Sequence, residues 1–469
     1  MGSGFGNGDV SFWYREVGLP GRGTTLPGAR HVDVCVVGGG YTGLWTAYYL
    51  KRAEPDLRIA VCEQEFAGFG ASGRNGGWLV GELAGSHRRY AARHGRDATV
   101  VLQRAMDDSV AEVIAVAAAE GIDADVVRGG MLGVATNAAQ RRRLDAELAE
   151  SREWGSGEDD LRLLDPDELA TRLRVAGARG AVWSPHGARI QPAKLVRGLV
   201  ATVRRLGVDV YEHTPVTELR AGTGARPAAA VTPHGVLTAD HVIRATEGYT
   251  AALPGERRSW LPMNSSMIVT EPLPAEVWDE IGWTGCEVLG DLAHYYMYAQ
   301  RTADGRIAFG GRGVPYHYGS RWDASGRTQE ETITSLWRML TAMFPAAGTS
   351  RVEHAWSGVL GVPRDWCSTV HVDHATGLGH AGGYTGHGVA TTNLAGRTLR
   401  DLVLRRDTEL TRLPWVDWRV RRWEPEPLRW LGVHALYALY RVADGRENAG
   451  RTAGRTSSLA RLADVISGR

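Results

Sequence analysis

The sequence is short of lysine, of paired cysteines and of long apolar runs, and each shortage excludes a class of function. Lys51 and Lys194 are the only lysines, so any mechanism that needs a lysine base, a Schiff base or an ammonium near oxygen has two candidates. The four cysteines form no CxxC pair, and Cys35 and Cys62 lie inside apolar runs, which favours free buried thiols in a reducing cytoplasm. No stretch reaches the ~18 apolar residues of a membrane helix. The first residues lack the basic and apolar regions of a signal peptide, so we expect a cytoplasmic protein.

Excess charge of either sign is also missing. The formal net charge is +1 at pH 7, which gives no argument for a nucleic-acid partner or for an anionic membrane surface. The 469 residues are enough for two or three domains.

Predicted strands alternate with predicted helices, and long insertions interrupt the alternation. This pattern predicts an α/β architecture with at least one parallel sheet and two interwoven domains. Residues 1–30 are rich in Gly and Pro and are expected to form a loose leader, in which the aromatics of "SFWYREVGLP" pack somewhere. The segment "TQEETITSLWRMLTAMFP" predicts a helix that starts with a capping box between Thr328 and Glu331.

A glycine motif lies between a short apolar strand and a helix. Gly38, Gly40 and Gly43 form G-x-G-x-x-G after the apolar run Val32–Val37, and Thr42–Lys51 is predicted to be helical. The first glycine allows a tight turn, the second a close approach to a pyrophosphate, and the third close packing of helix on strand. The pyrophosphate would lie at the helix N-terminus, where free N–H groups and the helix dipole favour an anion.

A carboxylate stands where a dinucleotide site needs one. Glu63 ends the second predicted strand, Arg58–Cys62, and can accept hydrogen bonds from the adenosine ribose hydroxyls. Its negative charge would repel a 2′-phosphate, so NADP is disfavoured. The motif alone does not separate FAD from NAD.

Two further segments separate them. "AGFGASGRNGG" (Ala67–Gly77) resembles the second flavin signature of the D-amino acid oxidase superfamily, which includes glycine oxidase, sarcosine oxidase and γ-glutamylputrescine oxidase. "GGYTGHGVATTNLAGRTLRDLV" (Gly382–Val403) resembles the C-terminal flavin motif of that family. "HVIRATEGY" resembles its strand-end turn, and "YAQRTADGRIAFGGRG" and "WEPEPLRWLG" look most like the γ-glutamylputrescine oxidase-like branch.

The resemblance implies a fold as well. It implies a Rossmann-type FAD-binding domain interwoven with an antiparallel-sheet substrate domain, that is, an α/β chain with an α+β second domain. We expect the FAD-binding domain to comprise residues 30–85, 160–250 and 350–405. We expect the substrate domain to comprise residues 86–159 and 251–349, and residues 406–469 to form a C-terminal extension.

The resemblance also implies a set of cofactor-binding residues. They are Gly38, Gly40, Tyr41, Thr42, Gly43, Glu63, Gln64, Gly70, Ala71, Ser72, Arg74, Asn75, Gly76, Val216, Ala245, Thr246, Gly383, Tyr384, Gly386, His387, Gly388 and Val389. In the family the backbone at Val216 approaches the adenine, and the turn at 383–388 starts a helix beside the flavin ring, where its dipole stabilises negative charge. Arg74 could equally be a surface arginine.

The FAD is predicted to be non-covalent. Some family members attach it through a cysteine in the segment that here reads "WSGVLGVPRD", and this segment contains none. Gly358 falls nearest the expected position, and Cys367 lies on the other side of Asp365.

The implied reaction is oxidation of a C–N bond of an amine or amino acid. Hydride passes from the α-carbon to flavin N5, the imine hydrolyses, and the electrons pass to O2 or another acceptor. A dehydrogenase with a non-oxygen acceptor, a non-catalytic FAD-binding protein and an NAD-dependent enzyme remain alternatives. "HVDH" (His371–His374) could pass for metal ligands, but its place just before the flavin motif favours loop structure, and we predict no metal.

The catalytic candidates are His387, Trp78 and Tyr296. Sarcosine oxidases hold the substrate carboxylate with a lysine at the position of Ala390, so the substrate here fits better as an amine whose reacting nitrogen is not beside a carboxylate. His387 is the candidate for positive charge near the flavin, or else a structural histidine. Tyr296 and Trp78 are candidates for the pocket wall, or else ordinary core aromatics.

Overall fold

The computed structural model describes residues 5–467. Its strands are β1 Gly6–Asn7, β2 Arg30–Val37, β3 Ile59–Cys62, β4 Trp78–Val80, β5 Met131–Val134, β6 Arg162–Leu164, β7 Ala181–Ser184, β8 Gly187–Arg189, β9 Asp209–Tyr211, β10 Glu218–Arg220, β11 Ala228–Thr232, β12 Gly235–Arg244, β13 Leu261–Thr270, β14 Val288–Asp291, β15 Met297–Arg301, β16 Ile307–Gly311, β17 Val352–Val362, β18 Thr369–Asp373 and β19 Leu378–Gly382. Its helices are α1 Phe12–Val17, α2 Tyr41–Ala53, α3 His87–His94, α4 Arg96–Ala119, α5 Ala138–Glu153, α6 Pro166–Ala170, α7 Pro192–Arg205, α8 Ala275–Ile281, α9 Glu330–Met343, α10 Gly388–Val403, α11 Leu428–Asn448 and α12 Ser458–Ser467.

One sheet contains the predicted parallel core. Its strands follow the order β10-β11-β12-β2-β3-β9, and β19 pairs with both β12 and β18. The β12–β2, β2–β3, β3–β9 and β12–β19 pairs are parallel. The apolar run at the end of β2 is buried on both faces, as expected for a parallel strand covered by helices.

The other large sheet has nine strands, in the order β1-β17-β13-β16-β15-β14-β5-β7-β6. Most neighbours are antiparallel, and β5–β14 and β1–β17 are parallel pairs. The expectation of a parallel α/β sheet beside a largely antiparallel one is confirmed. Strands β6, β7 and β17 come from ranges expected in the FAD-binding domain yet lie in this second sheet, so the chain crosses between sheets more often than the ranges suggest.

Four strand ends meet at one edge of the first sheet. Gly38 follows β2, Glu63 follows β3, Ala245 follows β12 and Gly383 follows β19. Because these strands are mutually parallel, their carboxyl ends lie side by side, where open α/β sheets bind ligands.

Two local expectations are wrong, and a third holds only in part. Within residues 5–30, β1 pairs with β17, and α1 buries Phe12 and Trp13, so the expected packing of the aromatics is confirmed, whereas residues 18–25 have no regular structure and none of them is buried. Helix α9 has Gln329 as its N-cap, without a side-chain cap, in place of a capping box at Thr328. The expected loop at "HVDH" contains the end of strand β18.

The C-terminal extension forms two helices. Buried side chains of α11 and α12 pack on each other around Tyr440 and Ala460, and Val433 and Tyr437 of α11 pack on β13. Across residues 5–467, none of the helices combines the length and the apolar character needed to traverse a bilayer.

Candidate functional site

An elongated cleft lies along the edge where the parallel strands end. Its empty space, part of which is open to solvent, amounts to about 1340 Å³. Both Gly40, from the first glycine turn, and Gly386, from the second, line it. Segments more than 300 positions apart in the chain therefore face one cavity.

The first turn has the geometry that its glycines predict. Gly38 has φ +111°, and a Cβ there would lie 2.5 Å from the Ala245 carbonyl oxygen, so a side chain is excluded. A Cβ at Gly43 would lie 2.0 Å from the Gly38 carbonyl oxygen. The third glycine therefore serves helix–strand packing, and it does not line the cleft.

The carboxylate of Glu63 closes the turn at the end of β3. Its Oε2 accepts a hydrogen bond from the Gly39 N–H at 2.7 Å, and its Oε1 accepts one from the Glu65 N–H at 3.1 Å. Burial raises the pKa of Glu63, against the lowering effect of these N–H groups. The side chain lies in the cleft lining, where a ribose hydroxyl would donate a hydrogen bond to it in place of water.

The second signature caps helix α2. The Ser72 hydroxyl accepts a hydrogen bond from the Tyr41 N–H at 2.8 Å, at the N-terminus of α2. Asn75 folds back on its own segment, donating to the Ser72 carbonyl at 2.9 Å and accepting from the Gly77 N–H at 2.8 Å. The segment thus forms a rigid wall of the cleft beside the helix N-terminus.

Arg74 has a different place from the one expected. Its guanidinium is buried and donates to the carbonyls of Phe69 at 2.8 Å, Ala324 at 2.9 Å and Ser357 at 3.3 Å. It is neither a surface arginine nor part of the cleft lining, and it ties the signature segment to β17.

The C-terminal turn is hydrogen-bonded directly to helix α2. The hydroxyls of Tyr384 and Thr42 lie 3.1 Å apart, and both residues line the cleft. Gly386 has φ +117°, and a Cβ there would meet nothing closer than 3.8 Å, so the bare backbone of this turn faces open space. Helix α10 begins two residues later and points its N-terminus at the same space.

A buried carboxylate that sequence reasoning missed holds this turn. Glu247 accepts hydrogen bonds from the N–H groups of Gly383 at 2.8 Å, Tyr384 at 3.2 Å and Gly361 at 3.3 Å. Burial raises its pKa to about 7, although these N–H donors lower it. Its backbone φ of +42° is uncommon for a residue other than glycine, and this local feature sets Glu247 apart from an ordinary turn residue.

Most of the predicted cofactor residues line the cleft. They are Gly38, Gly40, Tyr41, Thr42, Glu63, Gln64, Gly70, Ala71, Ser72, Asn75, Val216, Ala245, Thr246, Tyr384, Gly386, Gly388 and Val389. Those outside the lining are Gly43, Arg74, Gly76, Gly383 and His387. Lining residues that the sequence did not indicate include Glu247, Tyr249, Trp322 and Leu360, and the rings of Tyr249 and Trp322 meet edge to face at 5.3 Å.

The catalytic candidates lie around the C-terminal turn and the second sheet. His387 places its Nδ1 2.7 Å from Glu82 Oε2. Burial alone would raise the pKa of Glu82, but the charge and hydrogen bond of His387 outweigh it, so the pKa lies below its ordinary value. The Tyr296 hydroxyl lies 4.0 Å from the Cβ position of Gly386. Trp78 donates from Nε1 to the Ala299 carbonyl at 3.0 Å.

Lysine and cysteine are scarce at this site. Lys51 donates to two backbone carbonyls, Lys194 pairs with Asp125 at 2.8 Å, and neither lines the cleft. Ala390, where sarcosine oxidases carry a lysine, is buried inside α10. A Cβ at Gly358 would lie 3.3 Å from the Arg74 Cβ.

These residues fit an extended dinucleotide with a second ring system. The cleft has a helix N-terminus for a pyrophosphate at Gly40, a carboxylate for a ribose at Glu63 and a second helix N-terminus at Gly388. The two helix N-termini and the carboxylate are the groups that would hold the pyrophosphate, the flavin ring and the adenosine ribose of FAD.

Comparison with known proteins agrees. Residues 33–402 match the family model described as "DAO: FAD dependent oxidoreductase". Gamma-glutamylputrescine oxidoreductase of Escherichia coli (strain K12) is 32% identical over 392 residues, covering 82% of this chain and 86% of that protein. Glycine oxidase of Bacillus subtilis (strain 168) is 24% identical over 388 residues, covering 81% of this chain and 94% of that protein.

Solved structures share the fold. The crystal structure of glycine oxidase from Geobacillus kaustophilus has a TM-score of 0.66 at 20% identity, covering 81% of this chain and 96% of that chain. The crystal structure of L-proline dehydrogenase from P. horikoshii has a TM-score of 0.66 at 18% identity, covering 83% and 98%. At these identities the structural likeness establishes the fold alone, and the activity rests on the family match. The chain belongs to the DAO family of FAD dependent oxidoreductases.

Proposed function

We propose that FAD lies extended in the cleft, with its adenosine end at Glu63 and its ring end at the turn before α10, and that the substrate is an amine or amino acid. The enzyme oxidises a C–N bond of that substrate. One observation supports this placement of the two ends of FAD. The two glycine turns line the same cleft, and the Thr42–Tyr384 hydrogen bond joins them. FAD, when bound, accepts a hydride equivalent from the carbon next to nitrogen, a step for which the protein itself has no group.

The chain's own residues orient the cofactor and exclude water. Glu247 fixes the N–H groups of the C-terminal turn, so that the free end of α10 stays directed at the ring site. Leu360 and Val359 supply the apolar part of the lining at the same end. Such a preorganised, dry site strengthens each electrostatic interaction inside it.

The substrate side is assigned to the second sheet. The Tyr296 hydroxyl faces the C-terminal turn at 4.0 Å from the Gly386 Cβ position, which supports a role in the pocket wall. Tyr298 is half-buried, its hydroxyl lies 2.8 Å from the Ser265 hydroxyl, and its ring meets that of Trp78 edge to face at 6.1 Å. These two contacts favour a structural role for Trp78 and Tyr298 behind that wall.

O2 is the proposed electron acceptor, in a cytoplasmic enzyme. The imidazole of His387, paired with Glu82, supplies positive charge next to the ring site, which favours electron transfer to oxygen. The second candidate is a dehydrogenase that uses a non-oxygen acceptor. The absence of lysine from the cleft lining favours it, since a lysine near the flavin often activates oxygen in the family.

Anaerobic titration of the purified yellow protein tests this function. Polyamines, D-amino acids and N-methyl amino acids are added in turn while the flavin spectrum is recorded. We expect one class to bleach the flavin band, and admission of air to restore it with one peroxide per flavin. Restoration only by an added quinone would favour the dehydrogenase. A spectrum that no amine changes would contradict catalysis and leave a non-catalytic FAD-binding protein.

A further inference from the structure

A second cavity lies between the nine-stranded sheet and the C-terminal extension. Its empty space, part of which is open to solvent, amounts to about 780 Å³. Tyr296 and Arg312 line it from the sheet side, whereas Val433, Leu436 and Tyr437 of α11 line it from the other. Its outer wall therefore comes from residues beyond 402, the end of the family match.

Tyr296 stands between this cavity and the FAD cleft. The residue lines the second cavity, and its hydroxyl lies 4.0 Å from the Cβ position of Gly386, which lines the cleft. Arg312 lines the second cavity and is not part of the cleft lining. A molecule that occupied both spaces would pass the phenol of Tyr296.

Arg312 carries a charge without a counter-charge. The residue is 3% exposed, and its Nη2 donates to the Tyr296 hydroxyl. Its Cζ lies 4.8 Å from the Tyr296 ring centroid and 6.0 Å from the Tyr437 ring centroid. Among residues 5–467, no carboxylate oxygen lies within 4.0 Å of its nitrogens, and the titratable groups that act on it most strongly are tyrosine hydroxyls. Its Nη1 is buried and has no hydrogen-bond partner.

The other arginines of the cavity are paired. Arg364 lies 3.1 Å from a Glu424 oxygen, and Arg429 lies 3.0 Å from a Glu426 oxygen. A buried guanidinium without an ion pair, and with one nitrogen lacking a hydrogen bond, lowers the stability of the folded protein. A bound carboxylate would supply both the opposite charge and the missing hydrogen-bond acceptor. The unpartnered Nη1 of Arg312 is thus the donor that an anion in the cavity would bind.

We propose that the second cavity is a subsite for a carboxylate of the amine substrate, with Arg312 as its specificity-determining residue and the C-terminal extension as its outer wall. The inference rests on the proposed function. Because Tyr296 separates Arg312 from the ring site, the substrate carries its carboxylate remote from the oxidised nitrogen. This agrees with Ala390, which offers no charge for a carboxylate beside the nitrogen.

Calorimetric binding to the FAD-loaded protein tests the subsite without turnover. The probes are hexanoate and its uncharged match hexanamide. We expect wild type to prefer hexanoate at least about ten-fold, as for a hydrogen bond to a charged group. Arg312→Met should abolish the preference, Arg312→Lys should keep part of it, and the exposed control Arg446→Met on α11 should keep all of it. A wild type without preference, or an Arg312→Met protein that keeps it, would overturn the subsite.

Anaerobic flavin reduction separates the two proposals. We expect 6-aminohexanoate to reduce the flavin at lower concentration than hexylamine in wild type, and equally in Arg312→Met. Equal potency in wild type would overturn the subsite and leave amine oxidation standing. If the protein prefers hexanoate but no amine reduces its flavin, the proposed function is overturned and the anion site stands. Competition of inorganic phosphate with hexanoate at equal affinity would overturn the assignment to a carboxylate.

Discussion

The Glu247 carboxylate accepts a hydrogen bond from the Gly383 N–H, with the heavy atoms 2.8 Å apart, although the residues lie 136 positions apart in the chain. The same carboxylate holds Gly361 and Tyr384. One side chain thus joins the ends of β12 and β19 to β17, at the end of the cleft that we propose for the flavin ring. Glu247 fixes the C-terminal turn, and the contact between the Thr42 and Tyr384 hydroxyls links that turn to the helix of the first glycine turn.

Glu247 should give the protein a pH-dependent stability. Its pKa rises from an ordinary 4.5 to about 7 in the folded protein. Between these values the folded form holds a proton that the unfolded form has lost, so the stability from this group is full below pH 4.5 and falls as pH rises towards 7, by at most about 3 kcal/mol. Glu247→Gln should flatten this part of the curve in urea unfolding at pH 4.5, 5.5, 6.5 and 7.5. The exposed control Glu409→Gln should leave the slope unchanged, and an unchanged slope in Glu247→Gln would contradict the assignment.

Gly386→Ala should weaken FAD binding by about ten-fold or more without unfolding the protein. The position has φ +117°, which strains any side chain by ~1–3 kcal/mol, and the new methyl group would enter the cleft where backbone meets the ring. Fluorescence titration of the apoprotein with FAD measures the change. Gly445→Ala is the matched control, since a Cβ there meets nothing within 4 Å in the exposed part of α11. Equal FAD affinity in Gly386→Ala and wild type would show that this backbone does not face the cofactor.

Local sequence signals predicted the parts of the site that are continuous in the chain. The strand, glycine turn and helix around Gly40 follow from apolar pattern and turn chemistry, and Glu63 from its place at a strand end. The two flavin signatures predicted that distant segments converge, which the cleft shared by Gly40 and Gly386 bears out. These features depend on backbone geometry that a few residues specify.

Contacts between distant segments account for what the sequence did not reveal. Thr328 does not cap α9, because its backbone is held by the side chain of Asn7. The Asn7 amide accepts a hydrogen bond from the Thr328 N–H at 2.8 Å and donates one to the Thr328 carbonyl at 2.8 Å. Arg74 was open to two interpretations, a cofactor ligand or a surface arginine, because two of its carbonyl partners, Ala324 and Ser357, are distant in the chain. Glu247 looked like a turn residue for the same reason.

FAD should leave the protein on acid precipitation. Position 358, nearest to the family's attachment point, is glycine and faces Arg74, and Cys62 is the cysteine that lines the cleft, next to Glu63 at the adenosine end. We expect the yellow colour in the supernatant from both wild type and Cys62→Ser. Colour that stays with the wild-type pellet would mean a covalent linkage, and its release from Cys62→Ser alone would identify the attached residue.

His387→Gln should slow the reaction of the reduced enzyme with O2 by about ten- to a hundred-fold, because it removes a positive charge beside the ring site. Reduction by the amine under anaerobic conditions should change much less, since His387 is not part of the cleft lining. Glu82→Gln should act in the same direction but more weakly, because the imidazole stays while its 2.7 Å partner loses its charge. Stopped-flow mixing of reduced enzyme with oxygenated buffer measures the rate, with His31→Gln as a control at an exposed histidine bonded to Thr238. If His387→Gln reacts with O2 as fast as wild type, the histidine is structural, and the charge that favours oxygen must come from the N-terminus of α10.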